Sequence, residues 1–192
     1  MITYLIFFIG VGLTYILNIA LHIWHTEWWI MSLHFLFSLA IIIIINAICA
    51  IICAKVVPNK CFNPDSKFYA PSKRECRFYE RLGIKKWKDH YAEFGKLNGF
   101  RKDKIENPNQ PEYIKKFILE CNKGFLVHFT SIILGPLVLL SMPVQYFLTI
   151  GLPFCIISTI LNLLPIMILR YNIPRLKTLL KFAERKSNRE TK

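Results

Sequence analysis

The chain is 192 residues long, 54% hydrophobic and 19% charged, with a formal net charge of +13. All 25 Lys and Arg fall in two blocks, Lys55 to Lys123 and Arg170 to Lys192, while the first 54 residues carry one formal charge (Glu27) and Gly124 to Leu169 carry none. A charge in hydrocarbon costs several kcal/mol, so this partition excludes an ordinary soluble domain and marks an all-α integral membrane protein with basic flanks.

A spanning helix needs about 20 apolar residues, and the charge-poor regions supply four such segments. The first is Ile2 to Ile23. No basic region precedes it, no small-x-small cleavage site follows, and a second apolar segment comes at once, so it reads as a span rather than a signal peptide. The second is Ile30 to Ala54, the third Phe125 to Met142 and the fourth Val144 to Leu169. Pro136, Pro143, Pro153 and Pro165 leave it open whether the last two are full spans, kinked helices or partly re-entrant. Trp24, Trp28 and Trp29 form an interfacial aromatic belt at one face. The organisation is then a two-span hairpin (1–54), a basic segment (55–123), a second hairpin (124–169) and a basic tail (170–192).

The segment 55–123 is too varied in composition for a disordered linker. After a turn-rich stretch from Val57 to Asp65, Ser72 with Glu75 three residues on is a capping-box pattern that predicts a helix over 72–82. Gly83 then stops it. From Glu112 a helix is predicted to run straight into the third span. Phe78, Tyr79, Leu82, Ile84, Trp87 and Phe94 are too apolar for a solvated loop and should pack on the bundle or lie among headgroups. In the tail, Asn172 caps a predicted helix with Pro174 in its first turn. Its apolar face, Leu176, Leu179, Leu180 and Ala183, is expected to lie on the membrane surface.

Orientation follows from counting. Residues 55–124 hold 17 Lys and Arg against nine Asp and Glu, and residues 170–192 hold eight against two. The connections around His25 to Trp29 and Met142 to Gly151 hold no Lys or Arg. Both basic blocks and both termini are therefore expected in the cytoplasm of a multi-pass cell-membrane protein. Basic residues beside spans point to anionic headgroups as partners rather than nucleic acid. The six cysteines show neither a CxxC pair nor a disulfide framework, which suits a reducing compartment, and no zinc site is evident.

Three separated motifs carry a resemblance. They are Phe78-Tyr79-Glu80-Arg81-Leu82-Gly83-Ile84-Lys85-Lys86-Trp87-Lys88, Glu120-Cys121-Asn122-Lys123-Gly124-Phe125-Leu126-Val127-His128-Phe129, and Leu169-Arg170-Tyr171-Asn172-Ile173-Pro174-Arg175-Leu176. As an ordered set over roughly residues 55–180 they resemble the glycosyl-4,4'-diaponeurosporenoate acyltransferases, membrane enzymes of the staphyloxanthin-type carotenoid pathway. The chain departs from that pattern at Phe125, where the family has a second acidic residue, and at Phe129, Leu169 and Ile173. The resemblance implies an O-acyltransferase that moves a fatty acyl group from a donor such as acyl-CoA to a hydroxyl of a lipid-linked sugar, such as a glycosyl carotenoid, with no bound cofactor and no metal.

Under that reading His128 is the candidate base for the acceptor hydroxyl, the side chain best matched to that role near neutral pH. Its competing reading is a buried histidine bonded to a neighbouring helix. Glu120, also a candidate, lies about 12 Å from it along a straight helix. That is too far for a dyad, so Glu120 is expected to pair with Arg170 or Lys123. Arg170, Tyr171, Asn172 and Arg175, with Trp87 and Lys88, are the candidate substrate and phosphate contacts, since Arg grips phosphate through a planar fork. His22, His25 and Glu27 have metal-like or acyltransferase-like spacing, but an interfacial polar rim explains them better. The alternative from another class is a non-catalytic scaffold or lipid-binding subunit.

Overall fold

The computed structural model describes residues 2–22, 28–63, 66, 68–91 and 105–190. Among them are six α-helices and no strand: α1 (Ile2–His22), α2 (Trp28–Ile51), α3 (Lys73–Arg81), α4 (Ile84–Trp87), α5 (Pro111–Leu134) and α6 (Leu152–Glu190). Four helical stretches are long and apolar enough to cross a membrane: Ile2–Leu21, Trp28–Val56, Pro111–Ser141 and Val144–Arg189. The chain divides into two compact units, residues 1–52 with 127–164 and residues 53–126 with 165–192. These units regroup the four sequence segments, because α5 and α6 each run from one unit into the other.

The first unit holds α1, α2 and the adjoining parts of α5 and α6. Its core joins Met31, Phe35 and Ile42 of α2 to Val138, Met142, Tyr146, Ile150 and Phe154, with Val11, Tyr15 and Ile19 of α1 packed against them. Outside that core the surface is apolar: Leu5, Phe8, Leu13, Leu36 and Phe37 are exposed, and Leu140 is 81% exposed. A continuous apolar surface of this extent suits lipid rather than water. Between α5 and α6 the backbone leaves the α form in a 3-10 stretch, Gly135–Ser141. It then extends at Met142 and Pro143 and re-enters through a π-helical turn, Phe147–Gly151. Pro136 and Pro143 set this reversal, because neither offers an N–H to a continuing helix. The buried Asn18 of α1 ties the turn down, donating to the carbonyl of Thr149 at 2.6 Å.

The second unit is built on α3, α4, the N-terminal part of α5 and the C-terminal part of α6. Ser72 caps α3 through the expected capping box with Glu75. Gly83 ends the helix at φ 69°, a left-handed conformation that costs a side-chain-bearing residue more than glycine. Tyr79 and Ile84 pack with Met167, Ile168 and Tyr171 of α6, and Trp87 lies against them. Phe78 and Leu82, by contrast, are exposed. The expected aromatic set thus divides between core and surface, and Phe94 lies outside the described residues.

One expectation for the tail is corrected. Asn172 caps nothing, because α6 continues through both Pro165 and Pro174. A proline inside a helix costs about 3 kcal/mol. Here Pro165 and the following Ile166 to Leu169 are buried, and the buried Ile173 and Leu176 flank the exposed Pro174. Of the tail's expected apolar face, Leu176 and Ala183 are buried and Leu179 and Leu180 half-buried, while the nearby Phe182 is 61% exposed. Leu180 lines a cleft with Ile118 and Leu119 of α5, and Glu184 pairs with Lys115 at 3.5 Å. At about 1.5 Å per residue, the 39 residues of α6 make a rod of roughly 58 Å, about twice a bilayer's hydrocarbon thickness. Only part of α6 serves as a span, and the basic part extends beyond it.

Candidate functional site

Two polar clusters contain most of the residues singled out in the sequence, one in each unit. In the second unit the centre is Glu75. Its capping-box bond to the Ser72 N–H (3.4 Å) uses Oε2. The same carboxylate takes a two-pronged contact from Arg170, Nε to Oε1 at 2.5 Å and Nη2 to Oε2 at 2.9 Å, and accepts the Tyr79 hydroxyl. The third Arg170 nitrogen, Nη1, donates to the carbonyl of Phe68. The guanidinium also sits over the Phe125 ring, 5.0 Å from its centroid. Phe125 therefore has a local role as the face on which Arg170 stacks.

One turn further along α3, Glu80 accepts the Tyr171 hydroxyl at 3.0 Å and pairs with Lys85 at 3.0 Å. Arg175 donates to the Tyr171 hydroxyl and stacks over its ring, 4.0 Å from the centroid. Electrostatics follow from these partners. Burial works to raise the Glu75 carboxyl, but the bonds from Arg170 and Tyr79 outweigh it and hold the group below its usual 4.5. Burial, then the neighbouring Glu75, push the Tyr79 phenol well up. The bonds from Lys85 and Tyr171 hold Glu80 low.

The remaining candidates of this unit are also in contact with protein. Trp87 donates from its indole to the Leu82 carbonyl at 3.2 Å, bridging the turn between α3 and α4. Lys88 lies 3.7 Å from Asp89. Glu120 pairs with Lys123 at 3.2 Å, both side chains largely buried. That is one of the two partners expected for Glu120; the other, Arg170, belongs to Glu75. Asn172 is half-buried on α6.

The first unit holds a chain of neutral groups leading to His128. Asn46 of α2 donates to the Ile42 carbonyl at 2.7 Å, so its side-chain oxygen acts as acceptor toward Asn162 of α6, at 3.0 Å. The Asn162 amide nitrogen also donates to the Ser158 carbonyl at 2.8 Å. With both amide hydrogens used, the atom Asn162 turns to His128 is its oxygen, 2.9 Å from Nδ1. An oxygen that can only accept requires a proton on Nδ1. In the neutral imidazole, Nε2 then carries the lone pair, so the direction of three amide bonds sets the tautomer of His128.

Residues 58–182 match the model of a protein family described as glycosyl-4,4'-diaponeurosporenoate acyltransferase. The chain belongs to this family. No curated protein and no solved structure matches it significantly. The family region takes in His128, Asn162 and the whole Glu75/Arg170 cluster, while Asn46 lies before it.

Sequence reasoning missed several members of both clusters in this acyltransferase-family chain. Glu75 was legible only as a helix cap, and its second partner is 95 residues away. Asn46, Ser158 and Asn162 went unnoticed although a signal existed. Polar amides in charge-free spans are expensive and seek one another, and Ser158 and Asn162 are four apart on one helix face. Among the described residues no group of three His, Cys, Asp or Glu could hold a metal ion. The side chains from His22 to Glu27 lie outside the described residues.

Proposed function

We propose that this protein is a membrane-embedded O-acyltransferase that esterifies a hydroxyl of a lipid-linked sugar, a glycosyl carotenoid or a similar amphiphile, using an activated acyl donor such as acyl-CoA. The family match across residues 58–182 carries the reading, and the fixed tautomer of His128 supplies a chemically suited group within it. In this mechanism Nε2 takes the proton of the acceptor hydroxyl as its oxygen attacks the acyl carbonyl. The bond from acyl carbon to the donor's leaving atom breaks, an ester bond forms, and the proton passes on to the leaving group. A base placed this way typically supplies about 10²- to 10⁴-fold. Asn162 is the positioning residue, taking the orienting role a carboxylate would have had, without placing a charge among the spans.

The geometry redistributes the other candidate roles. All three Arg170 nitrogens have protein partners, so Arg170 is assigned to holding α6 against α3. Glu120 is assigned to its ion pair with Lys123. Arg175, which bonds Tyr171 and lies 3.9 Å from Glu80 with its side chain still 50% exposed, is kept as the candidate contact for an anionic ligand. The charge partition supports a cytoplasmic placement of 55–123 and of both termini. The exposed Cys61 should then resist a membrane-impermeant maleimide in intact cells, and rapid labelling would reverse the orientation.

Mass spectrometry of total membrane lipids with and without the gene tests the function. A set of fatty-acylated glycolipid or glycosyl-carotenoid species present only with the gene is expected. Identical acylated species in both would favour the non-catalytic scaffold.

A further inference from the structure

The two faces of α3 differ sharply. Around a helix of 3.6 residues per turn, Arg77, Arg81, Arg74, Phe78 and Leu82 fall within one arc of about 140°, with Glu75 just past its Leu82 edge and Tyr79 about 40° further round. Both acids of the helix are committed to the cluster of α6 and Lys85, Glu75 to Arg170 and Glu80 to Tyr171 and Lys85. Among the described residues, none of the three arginines of this arc has an ion pair or hydrogen-bond partner from its side chain. They line a shallow cleft of about 270 Å³ with Phe78. Phe78 is 55% exposed and Leu82 49% exposed beside them.

Three unpaired guanidinium groups in one stripe repel each other, and two large apolar side chains in water add a further cost. Both costs vanish against one kind of surface. Arginine forks take phosphate oxygens in pairs, and a helix that carries cations beside aromatic and aliphatic groups seats at the boundary between headgroups and acyl chains. We infer that the outward face of α3 binds the phosphates of anionic membrane lipids, Arg74, Arg77 and Arg81 contacting the headgroups while Phe78 and Leu82 enter the layer beneath. A soluble phosphate ligand would use the arginines but leave the exposed Phe78 and Leu82 unexplained. The inference is independent of which acyl acceptor the protein uses. It gives α3 two jobs, with the inward acids holding α6 and the outward cations holding lipid.

Hydrogen exchange of the α3 amides tests this on the full chain in lipid nanodiscs. Phosphatidylcholine alone is compared with the same lipid containing phosphatidylglycerol. Each cation near an anionic surface changes partitioning roughly fivefold. Exchange over Lys73 to Leu82 should therefore slow at least tenfold with phosphatidylglycerol, and the slowing should weaken as salt rises. The R74Q/R77Q/R81Q variant should lose that response, and R74K/R77K/R81K should keep most of it. Equal exchange in the two lipids overturns the proposal, and this comparison needs no variant to fold. So does an undiminished response in the glutamine variant. A third overturning result is equal slowing by inorganic phosphate in detergent without lipid, which would make the cleft a soluble-anion site.

Discussion

The two units satisfy their polar side chains with different chemistry. The second unit uses full charges: Glu75 with Arg170, Glu80 with Lys85 and Arg175, Glu120 with Lys123. The first, whose helices carry the exposed apolar surface, uses neutral amides and hydroxyls: Asn46, Asn162, Ser158, Asn18. The difference reflects the cost of an ion in hydrocarbon, which is far larger than that of an amide with partners. It also separates two consequences. A paired carboxylate stays ionised to a lower pH than usual, whereas an amide chain that ends on a histidine can orient a lone pair without adding a charge. The first arrangement holds structure, and under the proposed function the second serves proton transfer.

The contrast breaks most visibly at His128. His128→Ala should lower turnover by about 10²- to 10⁴-fold in a folded, monodisperse sample while leaving thermal unfolding in detergent close to wild type. Asn162→Ala should cost less, on the order of tenfold, because Nε2 keeps its chemistry and loses only its orientation. Full activity in His128→Ala would make this histidine a packed helix contact and the amide chain merely structural.

Arg170→Ala should show the opposite pattern. It leaves the Glu75 carboxylate and the Phe68 carbonyl without their cation, at a cost of about 2–4 kcal/mol in stability. Adding Glu75→Gln should recover part of that loss. A double-mutant cycle by thermal unfolding reads the coupling, and strictly additive losses would mean that the pair does not hold the second unit together.

The smallest expected effect is in acid. Glu75 and Glu80 are both held below 4.5 in the folded state. Their stabilisation is therefore complete above the unfolded carboxylate range and is lost as pH falls through the lower folded values. Hydrogen exchange over the second unit should accelerate on that descent, and Glu75→Gln should flatten the curve. The first unit's chain from Asn46 to Asn162 contains no carboxylate and should not share the transition.

How much of this was legible follows the range of the interactions. The capping box at Ser72 and Glu75, the stop at Gly83, the four spans and the helix running into the third span depend on neighbours within a few residues or on bulk composition, and the sequence displays both. The continuity of α6 is different. A local rule puts a break at Asn172 and Pro174, but buried neighbours such as Ile173, Leu176 and Ala183 override it. The partner of Arg170 was hidden for a similar reason. The local pattern offered Glu120 as its acid, whereas the fold brings in Glu75 from 95 residues away. His128 was identifiable by type and place, but its hydrogen-bond partner Asn162 is 34 residues away. Only the three-dimensional placement of Asn46 and Asn162 reveals the amide chain that reaches it.

The central claim is that neutral amides fix the tautomer of His128 with the lone pair on Nε2. Nitrogen-15 NMR of the full chain, histidine-labelled in detergent micelles at slightly alkaline pH, reads this directly. His128 should show a protonated Nδ1 and a bare, pyridine-like Nε2, and in Asn162→Leu the two should average toward mixed tautomers. A protonated Nε2 in the wild type, or shifts unchanged by Asn162→Leu, would contradict it.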